Sequence, residues 1–156
     1  MTEPTRLGGI SAFGCLAAIV ALSLLGAPLA EGKGRATHIK FKRWEVETES
    51  GVEKSVPRGK TFRHCASDPV IDLDAIGRVR NAKAGIPKVE KWFRDGKLFR
   101  AFHLRWAKSG SGLYRSYGLN APPDKGLRDG VWTIEQRQKG HRIGFAKIRL
   151  ASDRHC

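Results

Sequence analysis

A chain of 156 residues is long enough for one domain plus an accessory segment and too short for two full domains. Its 29 Lys and Arg outweigh 15 Asp and Glu, giving a formal net charge of +14. That imbalance favours anionic partners (nucleic acid, anionic lipid or envelope polysaccharide) over acid-binding ones and carries no information about fold. The plain counter-reading is a basic soluble surface with no dedicated partner.

Residues 8–30, "GGISAFGCLAAIVALSLLGAPLA", carry no charge and contain Pro28. They read as either a secretory signal peptide or an N-terminal membrane anchor. Cuts after Ala30 or Ala27 place Pro28 or Leu25 at the third position back, where a small residue is wanted. Cys15 sits near the front of the run and reads as packing material rather than a lipid attachment point. Glu3 and Arg6 cancel, so the whole positive charge follows residue 30. Lys33, Arg35, Lys40 and Lys42 form a membrane-proximal basic set. An uncleaved anchor with that flank would face its domain to the cytoplasm, whereas export places it in the periplasm or outside the cell. The expected organisation is a leader at 1–30, a linker at 31–36, an all-β domain at 37–151 and a tail at 152–156.

In "THIKFKRWEV", Ile39 and Phe41 alternate with His38, Lys40 and Lys42, the period of a half-buried strand. A turn-rich stretch through Gly51 and "VPRGK" follows, then "KTFRHC" as a second short strand. "VIDLDAIGRVRN" offers Ile71 and Leu73 to one face and Asp72 and Asp74 to the other, with Gly77 as a bulge or bend. Asp95-Gly96 is a two-residue hairpin turn, since both positions of a type I′ turn need positive φ. The returning strand sets Phe102, Leu104 and Trp106 against His103 and Arg105. "SGSG" at 109–112 reads as a flexible connector, "LYRSYGLNAPPDKG" as a short strand closed by Pro122-Pro123, and "GVWTIEQRQ" with "RIGFAKIRL" as a hairpin turning at Lys139-Gly140. About seven or eight short strands at roughly ten-residue spacing predict an antiparallel sandwich, immunoglobulin-like, or a barrel. Trp44, Trp92, Trp106 and Trp132 are expected as core anchors.

The series "WFRDGKLFRAFHLRW", "LYRSYGLNA" and "GVWTIEQRQKGHRIGFAKIRL" resembles a bacterial domain family of unknown function that follows a membrane-spanning segment. The matching positions are Trp92, Gly96, Lys97, Arg115, Ser116, Gly130, Trp132, Gly140 and Phe145, within residues 88–150. Where the family has a second Ser, this chain has Tyr117-Gly118. The resemblance implies an all-β, envelope-associated domain and no known reaction.

Several constellations compete for the chemistry. Asp72 and Asp74, two apart on a strand, share a face and would suit a hard metal ion or an acid pair, but an outward polar face accounts for them equally. The five histidines in a basic chain invite a nuclease reading with an imidazole acid–base pair. No nucleophile elbow, phosphate loop or zinc-protease helix accompanies them, and no catalytic, metal or cofactor residue is assigned. The stronger candidate is a polyanion-binding sheet face made by Arg105, Arg137, Lys139, Lys147 and Arg149, which alternate with apolar positions. Tyr114 and Tyr117 are the aromatics nominated for stacking a nucleic acid, against a packing role.

Cys65 and Cys156 each follow Arg-His. They form a disulfide if the domain is exported, or a Cys/His zinc site with His64 and His155, or remain free. The expectation is an exported or membrane-anchored, non-catalytic binding or assembly domain for an anionic envelope component, a membrane surface or a protein partner. The alternatives are a small basic nuclease-like hydrolase, or a nucleic-acid-binding domain on the cytoplasmic side of an inverted anchor.

Overall fold

The computed structural model describes residues 35–122, 125–154 and 156. The leader at 1–30, Lys33 and His155 lie outside the described residues. Among the described residues the chain forms ten strands: β1 His38–Thr48, β2 Glu53–Pro57, β3 Thr61–Cys65, β4 Val70–Ala82, β5 Pro87–Arg94, β6 Lys97–Arg105, β7 Gly110–Arg115, β8 Leu119–Asn120, β9 Gly130–Gln138 and β10 His141–Asp153. One sheet runs β2-β1-β4-β7, with β8 also on β4, and the other runs β3-β10-β9-β5-β6. Neither closes on itself, so the architecture is a two-sheet sandwich and not a barrel.

Alternating burial builds the core. Ile39, Phe41, Trp44 and Val46 from β1 meet Trp92, Trp132, Ile134, Ile148 and Leu150 from the other sheet in one cluster. Trp44 and Trp92 bring their ring centroids to 5.9 Å across the two sheets. At about 25 cal/mol per Å² and roughly 200 Å² per ring, each such anchor contributes about 5 kcal/mol before entropy. All four tryptophans are buried, as their positions in the pattern predict.

Both hairpin turns form where local chemistry dictates. Asp95 and Gly96 have φ of 49° and 79°, and Lys139 and Gly140 have the same pair of values. Elsewhere the sequence is less direct. The turn-rich stretch after Gly51 contains β2, which pairs with β1 from Arg43↔Pro57 to Glu47↔Glu53. The "SGSG" segment is not a free connector, because its last three residues are the start of β7 on β4. Gly77 marks close approach rather than a bulge in its own strand. A Cβ there would lie 2.4 Å from the Lys40 carbonyl oxygen, and the extra residue, Lys42, is on β1. The sheets are not wholly antiparallel either, since β3 pairs in parallel with β10.

Candidate basic face and buried polar network

Strand register decides which predicted cations share a surface. In the sheet β3-β10-β9-β5-β6, Lys147 lies opposite Thr133, Arg149 opposite Val131, and Arg142 opposite Arg137. Arg137 lies opposite Val89 and Lys91 opposite Glu135, while Pro87 lies opposite Arg105. Because Trp132, Ile134, Ile148 and Leu150 occupy the alternate inward positions, these cations project from the outer face. Four of the five predicted residues, Arg105, Arg137, Lys147 and Arg149, therefore share one face. Lys139 belongs to the β9–β10 turn at its end.

The same face carries Arg63, Lys91 and Arg142, which the sequence reading passed over. Arg63 reaches it only through the parallel pairing that sets it beside Ala151. Arg142 stacks over Phe145 at 5.2 Å. The carboxylates on this face are Glu135, which is engaged by Arg137, and Asp153 at the end of β10. Arg105 donates to the Gly85 carbonyl at 2.8 Å and Arg137 to that of Gly140 at 2.9 Å. Lys147 and Arg149 are exposed. Of the cations expected near a membrane, Arg35 precedes β1 and Lys40 pairs with Arg78 on the other sheet's outer side.

That second outer side is charged in the opposite sense at one end. Glu45 stands opposite Asp74 and Glu47 opposite Asp72, and Glu53 lies beside Glu47. Together they line a groove of about 460 Å³. Arg115 bridges Glu45 and Asp74. Burial, reinforced by neighbouring Asp74, pushes the Asp72 carboxyl above its usual range, and burial likewise raises Asp74 despite the Arg115 charge. Among the described residues, no group of three or more His, Cys, Asp or Glu is arranged to hold a metal ion.

Between the sheets lies a polar network that the sequence reading did not single out. Glu90, wholly buried, accepts from Trp92 Nε1 at 2.7 Å, from the Tyr117 backbone N–H at 3.0 Å, from Gln136 Nε2 at 2.5 Å and from the Tyr114 hydroxyl at 3.4 Å. Lys88 Nζ donates to the Tyr114 oxygen at 2.8 Å and lies 4.4 Å from the Trp106 ring centre. Burial lowers the Lys88 pKa against the pull of Glu90, and raises that of Tyr114. These groups spend their hydrogen bonds on one another, which suits a polar core that fixes how the sheets register. Of the two nominated tyrosines, Tyr114 is thus buried and Tyr117 is exposed.

The two Arg-His-Cys segments do meet. Cys65 and Cys156 are joined with their Cα atoms 5.5 Å apart. His64 is not a metal ligand in this arrangement: it is buried, with Nε2 3.0 Å from Asp129 Oδ1 and Nδ1 3.0 Å from the Cys65 carbonyl. Asp129 also accepts the Ser152 N–H and hydroxyl. Partial burial opposes its ionisation, but those bonds and His64 hold its carboxyl below the usual range. The remaining described histidines sit on separate strands, His38 on β1, His103 on β6 and His141 on β10.

No family model matches the chain, and no curated protein does. A solved structure with a similar arrangement is an immunoglobulin-like protein from Pseudomonas aeruginosa, at a TM-score of 0.45 and 11% identity, covering 77% of this chain and 100% of that one.

Proposed function

We propose that this chain is an exported or membrane-anchored, non-catalytic β-domain that binds an anionic envelope component through the outer face of the sheet β3-β10-β9-β5-β6. The observation that carries the reading is the concentration of Arg63, Lys91, Arg105, Arg137, Arg142, Lys147 and Arg149 on one sheet face whose carboxylates, among the described residues, are Glu135 and Asp153. Such a surface attracts a polyanion through counterion release and needs no pocket.

Two further features support it. A Cys65–Cys156 bond persists in an oxidising compartment, which fits export. The acid–base groups Lys88, Glu90 and Tyr114 are consumed in the core and His64 is held by Asp129, and among the described residues no two imidazoles converge as a nuclease would need. Beside a membrane, Lys33, Arg35, Lys40 and Lys42 would each add roughly 1 kcal/mol of attraction to an anionic leaflet. Sedimentation with anionic vesicles and retention on heparin, each across a salt series, test the reading. It requires steep loss of binding with salt and no affinity for neutral vesicles; binding indifferent to salt would refute it.

A further inference from the structure

The edge strand β6 ends at Arg105 on the basic face and carries a second feature at its other end. Trp92 pairs with Arg100 but Phe93 with Leu98, so Phe99 is the extra residue of a bulge. Strict alternation would send Phe99 to the opposite side from Arg100. The bulge re-aims it inward, as bulges at sheet edges do, and its ring meets the edge of Trp132 at 5.0 Å.

A continuous ladder results. The Arg100 guanidinium lies 5.9 Å from both the Phe99 and Phe102 ring centres, and Phe102 lies 4.8 Å from Tyr117. Burying these groups would be the ordinary fate of such rings, yet Phe99 is 50% exposed, Tyr117 65% and neighbouring Leu98 58%. The hollow beside Phe99 has a volume of about 550 Å³, and Arg94, Lys97 and Arg128 line it. The carboxylate among its described lining residues, Asp95, accepts the Val131 N–H at 2.8 Å and lies 3.8 Å from Arg94.

We propose that this edge is a binding site for single-stranded nucleic acid. Unpaired bases present flat π-faces that stack on aromatic rings and on guanidinium planes alike, while each nucleotide brings one phosphate for a nearby cation. The ladder offers both kinds of surface, three rings and the Arg100 guanidinium. A polysaccharide offers no flat π-face to Arg100, and a duplex hides its bases. The Lys and Arg of the sheet face would bind any polyanion; the β6 edge selects the one with exposed bases.

The test is fluorescence anisotropy of the full chain with a labelled oligo-deoxythymidine, alongside heparin and a DNA duplex of equal charge, for wild type, Phe99→Leu and Phe99→Trp. Leucine keeps apolar bulk against Trp132 but removes the ring, and tryptophan keeps a ring should leucine disturb the fold. Phe99→Leu is expected to weaken oligo-deoxythymidine about five- to hundredfold, leave heparin and duplex unchanged, and preserve the slope against salt; Phe99→Trp retains tight binding. Unchanged single-strand affinity in folded Phe99→Leu, or equal losses for all three ligands, overturns the proposal. Heparin binding without single-strand binding overturns it while leaving the basic-face reading intact, and the converse result does the opposite.

Discussion

Single residues show where the chain accepts strain. Asp72 and Asp74 could be seen in the sequence as two carboxylates on one face, but Glu45 and Glu47 could not be set opposite them without the β1–β4 register. Like charges directly across a strand pair are destabilising, and Asp72 Oδ1 is buried without a hydrogen-bond partner. A carboxyl whose pKa is raised on folding contributes stability below its unfolded value of about 3.9, and loses it as pH climbs through the folded value. Asp72→Asn should therefore stabilise the domain by about 0.2–1 kcal/mol at pH 7 and have little effect near pH 3; equal thermal midpoints at neutral pH would contradict this. Lys88 and Glu90 were legible in principle. They stand four and two positions before Trp92, so the alternation that buries the tryptophan also buries them. Removing Glu90 leaves Lys88 in the core without its counter-charge. Glu90→Ala should cost about 3–5 kcal/mol in urea unfolding, and a loss under 1 kcal/mol would mean that the network is not structural.

At the level of elements, what is local was legible and what is distant was not. Asp95-Gly96 and Lys139-Gly140 specify their turns through residues that tolerate positive φ, and each hairpin follows from its own flanks. The parallel pairing of β3 with β10 joins segments whose cysteines are 91 residues apart, and no periodicity encodes it. The Phe99 bulge is equally hidden, because an extra residue breaks the alternation on which strand reading depends. The repeated Arg-His-Cys segments did flag the covalent contact. Closing a loop of that length is worth on the order of 4 kcal/mol in the chain-entropy account. Because β3 is an edge strand of five residues, the cost of cutting the bond should fall there first. Free-thiol titration of the oxidised protein should find neither Cys65 nor Cys156 reactive, and Cys156→Ser should lower stability by up to about 4 kcal/mol with the earliest amide exchange in β3. Two reactive thiols in protein purified without reductant would exclude the bond.

For the molecule as a whole, the net charge of +14 conceals a division. One outer face is basic throughout its body, while the other gathers Glu45, Glu47, Glu53, Asp72 and Asp74 at one end and Arg78 and Arg80 at the other. Composition could suggest a class of partner but not which surface would meet one, since that depends on how the strands are ordered. On the proposed function a particular face, rather than total charge, binds polyanions. Two matched reversals separate these: Lys147→Glu with Arg149→Glu on β10, and Arg78→Glu with Arg80→Glu on β4, each removing the same charge from exposed alternate positions of one strand. Heparin affinity measured across a salt series should fall sharply for the β10 pair, its log–log slope losing about two, and stay near wild type for the β4 pair. Equal losses in both would contradict the account, because the protein would then bind by net charge alone.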